Sequence, residues 1–425
     1  MECCSSTFKF QIWQFWQSTM TDRLYYHDSF LYAFDARVVE SVQREGRHAI
    51  ILDRTAFYPT SGGQIHDTGR LVLADNREVA VAEVADEEDG RILHFTAEAL
   101  APETAVHGAI DAARRRDHMQ QHSGQHVLSA TFVRLFDVPT VSFHMGAESC
   151  TIDLETSGLS AKQTEDAERL ANEIVLEDRP IAISFVPLEE ARQLGLRKLP
   201  PRQQGDLRLI DIKDFDLTAC GGTHVRSTGQ IGAILLRKTE KVKQGVRVEF
   251  VCGLRAVMAA RKDYQTLTEA AALYSSHILD LPQQVRKSLD ESKSAAKAEH
   301  NLLEEVAELY AQKLLAKVTG QPRVIVESFS ERDAVFIKLL AQKLTATYPD
   351  VVALLAAGLS QPALVFAQSA GQRFNMGQLM KDAMARLGGR GGGTPDMAQG
   401  GLPADRVNLT EVENALQEIA ARLAG

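Results

Sequence analysis

Between Arg255 and Lys317 the chain is almost free of glycine and, apart from Pro282, of helix breakers, and its runs of Ala, Leu, Glu and Lys favour long helices. The fold must therefore be divided there, with a helical stretch between an N-terminal part and a C-terminal one. Two helices meeting near Leu279–Pro282 are expected. Val285, Leu289, Ala296, Leu303, Val306 and Tyr310 fall near heptad spacing, although Ser292 and Glu299 interrupt the seam. An antiparallel helical hairpin over 255–319 accounts for this better than a long parallel coiled coil.

The flanks have other periods. From about Ser29 to Ile110 short alternating segments (Ala33–Val39, His48–Asp53, Glu78–Val84) are separated by Gly, Asp and Asn turns, which reads as a small β-barrel over 21–110. Residues 111–254 mix helix signals at 117–136 and 160–177 with β-branched strands at 182–186, 207–212, 232–236 and 246–251, an α+β domain. After Gly320 strands at 324–327, 351–356 and 363–367 interleave with helices around 332–343 and 377–387, so a small α/β domain is expected over 320–425. The run Gly388–Gly393 within it is low in complexity and reads as a phosphate-approaching turn or a mobile loop. The fold class is multidomain α+β.

With 425 residues, 44% of them hydrophobic, each domain has material for a core. A net charge of −9 excludes nucleic-acid binding through overall basicity, so any such contact must be local. Cys3, Cys4, Cys150, Cys220 and Cys252 are too scattered for a disulfide framework, which fits a reducing, cytoplasmic setting. No apolar run approaches membrane-spanning length, so no membrane is expected as a partner. Residues 1–20, aromatic and without a cleavage pattern, read as a disordered or mis-called extension.

His122 and His126 are four apart in the helical segment that Asp117 would cap, so both imidazoles share a face. Cys220 and His224 bracket Gly221, Gly222 and Thr223, a turn able to fold both side chains toward one point. Three imidazoles and a thiolate suit one tetrahedral zinc. Spacing alone does not bring the two pairs together, and the Ser123-Gly124-Gln125 insert lacks the glutamate of the zinc-protease helix.

The stretches His122–His126 (HSGQH) and Cys220–His224 (CGGTH), the latter followed by Val225–Gly232, resemble the two zinc motifs of the alanyl-tRNA synthetase editing domain. Thr55–Gln64 (TAFYPTSGGQ) with Asp67, Thr68 and Gly69 resembles that family's N-terminal barrel, and 375–402 resembles its C-terminal domain. Fewer than thirty residues precede the barrel, too few for an aminoacylation domain. The chain thus looks like the long form of the free-standing alanyl-tRNA editing proteins of the AlaX type. The resemblance implies a trans-editing hydrolase that removes serine or glycine from tRNA(Ala), with self-association through the helices and the C-terminal domain. Threonyl-tRNA synthetase editing domains share the plan of paired ligands, so an editor of threonyl errors stays open, as does a non-catalytic tRNA-binding module with a structural zinc.

A pocket for alanine rejects glycine or serine by only about 1–3 kcal/mol, so errors must be removed afterwards at a second site that reads the seryl hydroxyl. Zinc with four protein ligands has no open position. Either one ligand is displaced by substrate or the metal orders the pocket without activating water. Gln125 and Thr223 are candidates for orienting water or the hydroxyl, and Ser142, His144, Gly62, Gly63 and Gln64 for lining the pocket. Arg237, Lys238, Lys241, Lys243 and Arg247, and the cluster Arg114, Arg115 and Arg116, are candidates for tRNA phosphate contact.

Overall fold

In the computed structural model residues 20–197, 206–243, 245–358, 362–403 and 409–424 are described; the expectation for residues 1–19 lies outside them. The chain forms two compact units, Met1–Glu269 and Ala270–Gly425.

Besides a short parallel pair, Asp22–Arg23 with Arg54–Thr55, the N-terminal part of the first unit has seven strands: β1 (Ala33–Arg44), β2 (Arg47–Leu52), β3 (Gly69–Leu73), β4 (Glu78–Val81), β5 (Glu83–Asp86), β6 (Ile92–Thr96) and β7 (Ala105–Ile110). They form one sheet in the order β4-β3-β7-β1-β2-β6-β5. The long β1 pairs with β7 through its first half and β2 through its second. That double use curls the sheet, and Ala82 N–H reaches Phe95 O on β6, so the sheet nearly closes as a barrel. Phe34, Val38, Ile50, Leu52, Phe57, Leu71 and Ile92 fill its interior.

Helix α1 (Ala112–Phe136) comes next, with only Asp111 between strand and helix. Asp111, not Asp117, is the N-cap, accepting from Ala113 N and Arg114 N, because the chain leaves β7 directly into the helix. Asp117 lies in the second turn and binds Arg255 instead. From His118 to Phe132 nearly every α1 side chain is buried, polar ones included, so α1 is a central helix enclosed on all sides. Around it lie β8 (Thr140–Met145), β9 (Cys150–Leu154), α2 (Ala161–Leu176), β10 (Ile181–Pro187), β11 (Asp206–Ile212), β12 (Asp216–Ala219), β13 (Ile234–Val242) and β14 (Gly245–Cys252). The strands form two antiparallel sheets, β8-β9-β14-β13 and β10-β11-β12. Met119, Val127, Leu128 and Phe132 of α1 meet both sheets and α2 in one core.

The stretch read as a hairpin does form two helices, α3 (Gly253–Leu273) and α4 (Leu281–Leu315), although the division between units falls inside α3. Within the second unit, α4 buries Ala307, Ala311, Leu314 and Leu315 in the C-terminal core, and Leu303, Val306 and Tyr310 pack against it. Leu289 is 57% exposed and Ala296 is also exposed, so only the last turns of the expected seam are in use, against a sheet-bearing core.

That core is a sheet in the order β15-β16-β17-β19-β18, built from β15 (Arg323–Phe329), β16 (Val351–Ala357), β17 (Ala363–Gln368), β18 (Arg390–Gly393) and β19 (Met397–Gly401). Helix α5 (Ala334–Thr347) connects the parallel pair β15 and β16, and packs with α4 on one face. Helices α6 (Met376–Leu387) and α7 (Leu409–Ala424) cover the other. All seven residues of β16 are buried, as a strand covered on both faces must be. The glycine run is no loop. Gly388 ends α6 in the left-handed region, and 390–393 form the edge strand β18. A Cβ on Gly391 would stand 2.7 Å from Gly400 Cα and 3.0 Å from Met380, so glycine lets helix and strands approach this closely.

Candidate metal centre

His122 and His126 face one way because they are one turn apart on α1. Cys220 and His224 come from the loop after β12, and the ligand atoms of all four lie within 4.8 Å of one another. Cys220 Sγ is 3.5 Å from His122 Nε2 and 3.4 Å from His224 Nε2. Tetrahedral zinc with Zn–S near 2.3 Å and Zn–N near 2.0–2.1 Å sets an S···N edge of about 3.6 Å, so the donors stand where such a site requires them. One glycine permits the convergence, and a second lets α1 close on β14. A Cβ on Gly222 would lie 2.1 Å from His122 Cε1, and one on Gly124 would lie 2.3 Å from Cys252 Sγ.

Two of the three imidazoles are hydrogen-bonded on their far side, and the third faces a carboxylate. Gln64 Oε1 lies 2.7 Å from His122 Nδ1 and also accepts from the Thr223 backbone N–H at 3.1 Å. An atom facing that N–H must be the amide oxygen, so His122 carries its proton on Nδ1 and turns the Nε2 lone pair inward. Ser123 Oγ is 3.1 Å from His224 Nδ1 and accepts from Val225 N–H. His126 Nδ1 faces Asp216 Oδ2 at 3.7 Å, an ion-pair distance too long for a hydrogen bond. Such outer partners orient metal-binding imidazoles and raise their basicity. Asp216 and Ser123 were not foreseen in the sequence.

Burial pushes the Cys220 thiol up, but the facing His122, His224 and His126 outweigh it and hold the thiol well below its usual range. Burial also drives His224 down to about 3. His126 rises against the effect of burial, drawn by Cys220 and Asp216. A thiolate is the form in which cysteine takes a soft divalent metal, whereas the raised His126 must give up its proton for its ring nitrogen to bind one.

Gln64 arrives on a tight hairpin turn. Ser61 and Gln64 exchange both backbone bonds, and Gly62 (φ +58) and Gly63 (φ +85) occupy the two left-handed positions. Gly63 O accepts from Met145 N, and a Cβ at Gly63 would meet Phe143 O at 2.4 Å, so the turn is clamped onto β8. Gln64 also donates from Nε2 to Thr223 Oγ1 at 2.9 Å, tying together residues from the barrel, α1 and the CGGTH loop. Thr223 is fully buried. Gln125 is nearly so, and its amide nitrogen donates to Ser129 Oγ at 2.8 Å. Phe143, unforeseen, stacks on His122 with centroids 5.4 Å apart. Its strand neighbours Ser142 and His144 therefore point to the opposite, exposed side, where Ser142 donates to Asp153. A cleft of about 650 Å³ on the barrel, lined by Asp35, Arg37, Asp53, Arg54 and His107 among others, includes none of the cluster.

The basic candidates divide sharply. Arg115 is fully buried, bound to Asp67 of the barrel and to Ser29 O and Ala56 O, and so is a strap inside the unit instead of an RNA contact. Arg114 donates to His66 O, and Arg116 is exposed. On the β13–β14 hairpin Arg237 pairs with Asp263, Lys238 with Glu240 and Arg247 with Asp153. Lys241 and Lys243 are exposed, with no ion pair among the described residues.

Residues 207–248, which carry the CGGTH loop and the strands around it, match the threonyl and alanyl tRNA synthetase second additional domain. Residues 11–114 match the class II (A) tRNA synthetases, and 321–425 the DHHA1 domain. Over 95% of its length the chain is 31% identical to the alanyl-tRNA editing protein AlaX-L of Pyrococcus horikoshii, all of which is covered. It is 32% identical over 95% of its length to an alanine–tRNA ligase of Pyrococcus abyssi, but spans only 44% of that enzyme. With the ligase of Pyrococcus furiosus it shares 35% identity over 70% of its own length and 33% of the enzyme's. The chain belongs to the family of alanyl-tRNA editing proteins of the AlaX-L type.

Proposed function

We propose that this protein hydrolyses the ester joining serine, or glycine, to tRNA(Ala), at a zinc site made by His122, His126, Cys220 and His224. The observation that carries the reading is the cluster itself: four donors within 4.8 Å whose outward nitrogens face Gln64, Ser123 and Asp216. A zinc held there supplies electrophilic polarisation and a fixed point for orienting the ester.

The protein's own groups supply the rest. Gln64 holds His122 in one tautomer and fixes Thr223 beside it. With its nitrogen engaged by Ser129, Gln125 offers its amide oxygen as the acceptor for a seryl hydroxyl. Alanine would leave that oxygen unpaired, the kind of loss that discriminates strongly in a buried site. Lys241, Lys243 and Arg116, all exposed, are the candidate cations to meet tRNA phosphate, and residues 255–319 with the C-terminal domain form the region through which a homodimer would assemble. The same closure of the site by four protein donors favours one second reading, a tRNA-binding module whose metal is structural.

The test is loss of the ester from serine-charged and alanine-charged tRNA(Ala), with and without prior zinc removal. Serine-selective, zinc-dependent loss is expected; tRNA binding without ester loss under any metal condition leaves the binding module.

A further inference from the structure

The sheet β10-β11-β12 carries a row of side chains that begins at the metal cluster and ends in the open. Phe185 on β10 stands opposite Arg208 on β11. Cys220 N–H donates to Arg208 O at 3.1 Å, extending the β11–β12 ladder by one residue so that Cys220 stands on the other side of Arg208. Directly opposed residues share a face, so Phe185, Arg208 and Cys220 project from the same side. Further along this face, Ile183, Ile210 and Ile212 join the core. Arg208 is buried and donates to Tyr26 O, Cys220 O and Gly222 O, clamping the CGGTH loop from behind. Phe185 is different: it is 42% exposed, and the aromatic ring beside it belongs to His27, also exposed, at 5.3 Å and 37°.

Resting on the hydrolase reading, we propose that Phe185, flanked by His27, is a stacking platform for an unpaired base at the 3′ end of the bound tRNA. The scissile ester sits on the terminal ribose, so once it reaches the cluster the adjoining base must lie within about one nucleoside of Cys220. Two strand spacings, about 10 Å, separate the Phe185 and Cys220 backbones. Unpaired bases are held by aromatic faces, with little dependence on which base is present. The other aromatics near Cys220 are committed: Phe143 lies on His122, and Tyr26 has the guanidinium groups of Arg23 and Arg208 each 5.7 Å from its ring centroid.

The full-length protein is tested as F185A, F185L and F185W, with L176A as a control at another exposed apolar position. For deacylation of serine-charged tRNA(Ala), F185A and F185L are expected to raise KM about fivefold or more with kcat and zinc content unchanged. F185W and L176A keep the wild-type KM. Separately, tryptophan fluorescence of F185W is expected to fall on adding an uncharged RNA minihelix ending in CCA. An unchanged KM in F185A, a wild-type KM in F185L, or no fluorescence response overturns the platform. Wild-type protein that hydrolyses no ester overturns the hydrolase reading instead, and the fluorescence titration then decides the platform by itself.

Discussion

The metal motifs and the basic runs are both clusters of like residues in the sequence, and the fold treats them in opposite ways. His122 and Cys220, far apart along the chain, converge to 3.5 Å. Arg114, Arg115 and Arg116, consecutive along the chain, are sent to a backbone carbonyl, a buried carboxylate and solvent. The difference is physical. Imidazole and thiolate groups at one point need room to approach, and inside the motifs Gly222 leaves it for the His122 ring while Gly124 lets α1 close on Cys252 of β14. A charge carries no such mark. Its fate depends on which carboxylate the fold brings near, as Asp67, Asp263 and Asp153 show.

This contrast can be broken most forcefully at Arg115. R115A leaves the fully buried Asp67 without its partner, and a loss of about 3–5 kcal/mol in unfolding free energy is expected, against no more than about 0.5 kcal/mol for the exposed neighbour in R116A. Chemical denaturation of both variants checks it. Equal, small effects would return Arg115 to the surface group.

A smaller effect is expected at Gln64, which supports the metal site without belonging to either motif. Removing such an outer partner typically costs 10- to 100-fold in metal affinity. Chelator competition on Q64A reads this directly, and an affinity equal to wild type would show that α1 and the CGGTH loop need no help from the barrel. The smallest effect belongs to Lys241 and Lys243. If they meet phosphate, K241A/K243A should weaken binding for all tRNAs alike and reduce the slope of log affinity against log salt by about 1 for each phosphate left without its lysine. An unchanged slope makes the β13–β14 hairpin a solvated face.

The same contrast separates the features legible in the sequence from those that were not. The helical stretch, the barrel strands and the four donors are marked by local period and residue type; helices and strands form in those stretches and the donors lie together, although neither the helical seam nor the meeting of the two donor pairs was fixed by spacing. The start of α1 was misplaced because a strand running into a helix through Asp111 alone leaves no loop to recognise. The glycine run hid a strand, since glycine has no β-propensity and its pairing is decided by β19 and the methionines of α6. Gln64 was named as a pocket residue, yet its bonds to His122 and Thr223 span 58 and 159 residues, beyond the reach of any local signal. Phe143 could have been found by strand alternation only if the face turned to the cluster were known, and the sequence holds no sign of it.

The central claim is that these four side chains hold one metal ion together. Zinc content of the purified wild-type chain, measured beside H122A and C220A under the same chelator challenge, tests it most directly. The account predicts about one zinc per wild-type chain and strong depletion in both variants, with the fold retained by circular dichroism. Wild-type protein that binds no zinc, or variants that keep it at wild-type affinity, would contradict it.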